Sequence, residues 1–188
     1  MGKMTLAMYM SLDGYIDGPN GAWATPRYSP DLQSKWIDAN TRRGAVLLYG
    51  RTAYETMTQF WTSPQAPAEP AMALAAKPKV VFSRTLRQAK WANSRIVRDD
   101  IPGTIARLKA ETDGELMMFG GAGIAGAFVD LGLIDEYRLL VSPVILGAGG
   151  RRLFAGPHPR RDLKLVDATP FDSGVVLLTY VPEKKDPS

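Results

Sequence analysis

The chain has 188 residues, 45% of them hydrophobic and 22% charged, with a formal net charge of +4. That length and balance suit one soluble globular domain spanning residues 1–188, and no stretch approaches the run of about 18 apolar residues that a membrane helix needs. The lack of cysteine excludes disulfides, thiolate catalysis and cysteine metal sites, and a single histidine, His158, excludes histidine clusters and a Ser-His-Asp triad.

In chain order, MGKMTLAMYM carries one lysine and a short apolar stretch and runs into SLDGYIDG without a small-residue cleavage site. It reads as a strand over 5–12 rather than a signal peptide, and predicts a cytoplasmic protein. The strand ends at the turn signal Asp13-Gly14, and a glycine- and proline-rich loop follows. Ser29-Pro30-Asp31 then supplies an N-cap, a proline at the first helical position and an acid in the first turn, predicting a helix over 31–43. AVLLYG reads as a buried strand, RTAYETMTQF as a helix, SPQAPAEPAMALAAKP as a proline-rich surface loop and KVVFS as a third strand. Helical periodicity covers Ile101 to Glu111; after it come the strand LMMF, the helix GIAGAFVDLG and the strand EYRLLVSPVIL. LKLVDATPF and GVVLLTYV close the chain as an antiparallel pair joined through Asp172-Ser173-Gly174. Strands alternating with helices predict an α/β fold, with a mostly parallel central sheet covered on both faces and an antiparallel C-terminal hairpin.

Gly121-Ala122-Gly123-Ile124-Ala125-Gly126 satisfies the dinucleotide pattern G-x-G-x-x-G between a strand and a helix. The context of a Rossmann unit is missing, because the next strand does not end in an acid for the ribose hydroxyls; Asp135 and Glu136 stand at its wrong end. What remains is the physical role of such glycines, which let backbone N–H groups approach a phosphate at a helix N-terminus. YGRTAYE and FSRTL also place an arginine and a threonine directly after a buried strand. Three strand ends of a parallel sheet can meet at one crevice, the usual ligand position in open α/β sheets. The arginines are otherwise scattered, which suits one small phosphorylated ligand better than a nucleic acid.

MSLDGYIDG, LLYGRTAYETM, KVVFSRTL, MMFGGAGI and LIDEYRLLVSPVILGAGGRRLF, in that order, resemble the dihydrofolate reductase-like family, in particular its bacterial branch related to the reductase domain of riboflavin biosynthesis. The resemblance implies a three-layer αβα fold around about eight strands, with NADPH across the strand ends. It also implies roles for single residues: Gly50, Arg51 and Thr52 on the phosphates, Ser83, Arg84 and Thr85 on the adenosine ribose and its 2′-phosphate, Gly120, Gly121, Ala122, Gly123 and Ile124 on the pyrophosphate, and Ile16 beside the nicotinamide. Folate-reducing members carry an acid near the start of the first helix that assists protonation of the pterin, which makes Asp31 the candidate catalytic residue; the competing reading is an acid that stabilises the helix dipole. Asp38 is a second, no stronger candidate.

Trp23 is a candidate for stacking on the substrate, whereas Tyr28, Trp36, Tyr54 and Trp61 suit core or lid positions better. Gly147, Gly149 and Gly150 shape a turn, with Arg151 and Arg152 exposed or at a subunit contact, and His158 reads as a surface residue of a proline loop. Leu131 to Leu133 and LLVSPVIL are candidates for a homodimer interface, although a buried strand explains the latter equally well. Together these readings predict an NADPH-dependent reductase of a flat heterocycle, either a dihydrofolate-like pterin or a ribosylamino-pyrimidine, with no metal, nucleic acid or membrane partner. A nucleotide-binding sensor without turnover is the competing class, and a purely structural domain the third.

Overall fold

The computed structural model describes residues 1–18, 29–37, 44–147 and 149–183. In chain order the elements are β1 (Lys3–Ser11), α1 (Pro30–Ile37), β2 (Gly44–Gly50), α2 (Arg51–Trp61), α3 (Ala68–Ala76), β3 (Lys79–Phe82), β4 (Ser94–Val97), α4 (Ile101–Glu111), β5 (Glu115–Met118), α5 (Ala122–Asp130), β6 (Glu136–Ser142), β7 (Leu163–Pro170) and β8 (Val176–Pro182). The strands form one eight-stranded sheet in the order β4-β3-β2-β5-β1-β6-β8-β7. β4 through β6 run parallel, and β8 is antiparallel to both β6 and β7. The parallel strands therefore deliver their carboxyl ends to one edge of the molecule.

Period-two alternation divides the core into two layers. Met4, Leu6, Met8, Leu48, Val80 and Met118 pack with Ile105 and Leu108 of α4 and with Ala125 and Phe128 of α5. The intervening residues Ala7, Leu47, Tyr49, Val81, Met117 and Leu140 pack on the other side with Leu32 and Trp36 of α1, Tyr54 of α2 and Leu74 of α3. Helices thus cover both faces, and Trp36 and Tyr54 are core residues, as their spacing predicts.

Three expectations change. Residues 63–78 are not all loop, because α3 occupies Ala68–Ala76. Pro67 stands at the N-cap and Pro70 in the first turn, where a missing N–H loses no intrahelical bond, and the alanine-rich remainder has high helix propensity. SRIV forms the edge strand β4, unread in the sequence because it is four residues long and mostly half-buried. β6 stops at Ser142 rather than Leu146: Pro143 has no N–H to donate, and Leu146 and Gly147 turn theirs to Asp13 instead. Of the predicted helix over 31–43, residues 31–37 are helical and 38–43, with Asp38, lie outside the described residues, as do Trp23 and Tyr28.

Candidate functional site

β2 lies between β3 and β5, so the loops that leave these three strands are neighbours at the carboxyl edge. Gly50 is the last residue of β2 and the N-cap of α2. A Cβ on Gly50 would stand 3.0 Å from Ile124 Cγ2, and one on Gly121 would stand 3.1 Å from that same atom and 3.9 Å from Gly50 N. The β2 and β5 loops are therefore in close backbone contact. Gly120 and Gly121 have φ of +87° and +93°, a region in which side chains are strained. From the other side, Arg51 Nη1 donates to Thr85 Oγ1 at 2.9 Å, which joins the β2 and β3 loops.

No side chain caps the N-terminus of α2 or of α5, whereas Asp100 caps α4 by accepting the Gly103 N–H at 3.0 Å. Two uncapped helix starts side by side make a concentrated positive potential of backbone N–H groups. Within the glycine run the positions differ in use. The Gly120 N–H is turned to Met8 Sδ at 2.8 Å, Gly121 makes the turn, and a Cβ on Gly123 would meet nothing within 4 Å. Gly123 thus borders open space.

Arg84 is exposed and has no hydrogen bond or ion pair from its guanidinium to any described residue. Arg51, half-exposed, also has its Nε 3.5 Å from Glu55 one turn along α2, a weak and exchangeable pair. The Ser83 hydroxyl accepts the N–H groups of Thr85 and Leu86 at 3.3 and 2.9 Å and so shapes its own loop. Arg98, which the sequence reading missed, props that loop by donating to the carbonyls of Arg84 and Leu86, both at 3.1 Å. A cavity of about 340 Å³ opens here, lined by Phe82, Ser83, Arg84, Arg98, Ile101 and Ile124 among others. The signal for Arg98 was its place after SRIV, hidden while that strand was unread.

The loops after β1 and β6 lie farther along the same carboxyl edge, beyond β5. Asp13 accepts Ser11 Oγ–H at 2.6 Å, Leu146 N–H at 3.1 Å and Gly147 N–H at 2.9 Å. Buried Asp17 takes the N–H and the guanidinium of Arg151. Between the two carboxylates, Ile16 N–H donates to Arg151 O at 2.9 Å, and the Ile16 side chain packs on the core. Arg151 is exposed as expected, yet its guanidinium is committed to Asp17, while that of Arg152 lies over the Tyr15 ring at 4.9 Å. Gly147 and Gly149 have positive φ, and a Cβ on Gly150 would fall 1.8 Å from Asp17 O, so all three glycines are needed for this turn.

The Ser11 hydroxyl, followed by the Gly147 and Leu146 N–H groups, holds the Asp13 carboxyl at about 2, below its ordinary 3.8. A depressed acid contributes stability that is complete above the unfolded value and lost as pH falls through the folded one. The stability gap between wild type and Asp13→Asn is expected to shrink as pH drops from 3.8 to about 2. Thermal melts of both proteins across that window check it, and a constant gap would contradict the assignment.

Asp31 is exposed in the first turn of α1, with its Oδ2 3.4 Å from the N–H of Asp172 in the β7–β8 turn. The Ser29 hydroxyl first, then the Leu32 and Asp172 N–H groups, hold its carboxyl below the usual range. It stands on the β6–β8 side of the carboxyl edge, and among the described residues no hydrogen bond or ion pair joins it to the three glycine and arginine loops. His158, expected at the surface, has a side chain only 17% exposed and packs on α5.

A sequence model of the RibD C-terminal domain matches residues 2–177. The chain belongs to that family. It is 33% identical over 182 residues to the uncharacterized protein YyaP of Bacillus subtilis, covering 95% of this chain and 94% of that protein. Among solved structures, a putative riboflavin biosynthesis protein from Shewanella sp. PV-4 superposes with a TM-score of 0.78 at 20% identity, covering 98% of this chain and all of that one. The dihydrofolate reductase of Enterococcus faecalis, complexed with NADP(H), superposes with a TM-score of 0.65 at 15% identity, covering 97% and 98% of the two chains. These likenesses establish the dihydrofolate reductase-like fold. Among the described residues no helix is long and apolar enough to cross a membrane, and no cluster of three or more histidine or acidic side chains is placed to hold a metal ion.

Proposed function

We propose that the chain is an NADPH-dependent reductase that passes a hydride to a flat heterocycle, a dihydrofolate-like pterin or a ribosylamino-pyrimidine. The observation that carries this reading is the meeting, at one strand edge, of two uncapped helix N-termini with Arg84, an arginine that has no partner among the described residues. In this reading the N–H groups of Arg51 and Thr52 and of Ala122, Gly123 and Ile124 receive the phosphates, for which Gly50, Gly120 and Gly121 give backbone access. Arg84 and Thr85, on the loop shaped by Ser83, receive the adenosine ribose and its 2′-phosphate, and Ile16 flanks the nicotinamide. A guanidinium fork matches phosphate geometry, which favours NADPH over NADH. NADPH, when bound, supplies the hydride; the chain's own part is to orient it and exclude water. The solved enzyme from Enterococcus with its NADP(H) supports the same cofactor class.

Trp23 remains the proposed substrate-stacking residue and Asp31 the proposed proton donor. Half-exposed Leu131 and exposed Val144 and Ile145 suit a homodimer contact, and a cytoplasmic location fits the same reading. One observation favours the competing nucleotide sensor: an Asp31 carboxyl held ionised is a poor acid. Purified protein is mixed with NADPH and offered a pterin, a ribosylamino-pyrimidine and a flavin. Binding with oxidation on one acceptor is the expected result; binding without turnover on all favours the sensor, and absent binding defeats both. On the accepted substrate, Asp31→Asn should depress turnover while leaving NADPH affinity unchanged. Unaltered turnover would assign Asp31 to the helix start alone.

A further inference from the structure

Gly126, the last glycine of the G-x-G-x-x-G run, does not serve the carboxyl edge. It is buried inside α5, where a Cβ would stand 3.0 Å from His158 Cε1 and 3.5 Å from its Nε2. His158 Nδ1 lies 2.7 Å from Oδ1 of Asp130, the last residue of α5, while Nε2 is buried without a hydrogen-bond partner among the described residues. Nδ1 thus faces Asp130 and Nε2 faces the helix, and the imidazole fills the space that Gly126 leaves.

Three residues on, Arg161 Nε donates to Val129 O at 2.7 Å and Nη2 to Asp130 O at 2.9 Å. It thereby reinforces Val129 O, which already accepts the Gly132 N–H at 3.1 Å, and supplies a donor to Asp130 O at the end of α5. Gly132, with φ of +66°, admits it: a Cβ there would be 3.2 Å from both Nη atoms. Two glycines of one helix and its exit thus make room for two side chains of one segment, the link into β7.

α5 has nine residues and so a length of about 13 Å. A rigid rod that short, tilted by about 5° at its carboxyl end, displaces its first N–H groups by about 1 Å, enough to matter for bound geometry. We infer that His158, with Arg161, is a positioning residue: a latch on the C-terminal end of α5 that sets where its N-terminal N–H groups meet a dinucleotide pyrophosphate. The inference rests on the NADPH reading above.

The test uses two probes, NADP⁺ and adenosine 2′,5′-bisphosphate, the second of which keeps the 2′-phosphate but has no pyrophosphate bridge. His158→Ala should weaken NADP⁺ about tenfold and the bisphosphate less than about twofold, a split of the size expected from a small misplacement. Gly126→Ala, whose methyl pushes the imidazole away, should give the same selective loss, and the Gly126→Ala/His158→Ala double variant no more than His158→Ala alone. His158→Gln, which keeps a donor for Asp130, should restore most of the ratio. A merely stabilising contact would shift the melting temperature while leaving the ratio of the two affinities unchanged, and that result overturns the latch. Should His158→Ala fail to fold, Gly126→Ala and His158→Gln decide by the same ratio. Wild-type protein that binds neither probe would instead defeat the NADPH reading itself.

Discussion

Arg84→Ala is expected to raise the NADPH dissociation constant about 10- to 100-fold and to leave that of NADH nearly unchanged. A hydrogen bond to a charged partner contributes about 1.5–3 kcal/mol, and each 1.4 kcal/mol is about tenfold in affinity. The guanidinium of Arg84 is exposed and has no partner among the described residues, so none of them competes for it in the free protein. Arg51 already shares its charge with Thr85 and Glu55, and part of its gain on binding is offset by those lost contacts. The same substitution at Arg51 should therefore discriminate less between the two cofactors. Titration of each variant with NADPH and NADH at two salt concentrations measures the difference, and the arginine-dependent part should weaken as salt rises. Equal losses for both cofactors would remove the 2′-phosphate assignment.

How the two arginines became visible shows what a sequence carries. β1, β2, β3 and β5 are buried strands whose apolar runs end at glycines, an Asp-Gly pair or a Ser-Arg pair, so their ends could be read from local pattern, whereas β6 stops at Ser142 before its run reaches a glycine. Parallel strands put 50–52, 83–85 and 120–124 at one edge, and the order β3-β2-β5, which local pattern does not carry, makes them neighbours. What stayed hidden depends on partners distant in the chain. Asp17 and Arg151 are 134 positions apart, and neither IDG nor GGRRL announces a buried carboxylate gripping an arginine. His158 looked superficial because its surroundings are prolines and arginines, yet Gly126 of α5 leaves a slot that only the folded chain reveals. β4 is too short and too little alternating to register in the sequence, and α3 is hidden by Pro67 and Pro70, which suit a proline-rich loop although a first helical turn tolerates them. Trp23 falls outside the described residues, so its proposed stacking role rests on its aromatic ring and its place in the glycine- and proline-rich loop.

Lys79 gives the largest expected effect on stability. It opens β3 and reads as an ordinary strand-start lysine, yet it is fully buried. Its Nζ donates to the carbonyls of Ala75, Lys77 and Ala92 at 3.2, 2.8 and 2.9 Å and lies 4.6 Å from the centroid of Trp91. The ammonium thus closes the carboxyl end of α3 and ties it to the strand that leads to Ser83 and Arg84. Asn93 also donates to Ala75 O, so Lys79→Met would leave chiefly the Ala92 carbonyl without its side-chain donor, and would also remove the ammonium from the Trp91 ring face. At about 1–3 kcal/mol for a buried orphan and up to about 2 kcal/mol for a desolvated cation–π contact, less the desolvation of the ammonium that methionine avoids, the loss should be about 1–3 kcal/mol in denaturant melts at neutral pH. Burial pushes the ammonium from 10.5 down to about 8. Between those values the unfolded chain holds a proton that the folded chain has released, so wild-type stability gains as pH rises through the window. Lys79→Met lacks that gain, and the gap between the two proteins should widen from pH 8 to 10.5. A gap that narrows instead would mean that the three carbonyls and the indole face hold the ammonium more strongly than burial opposes it.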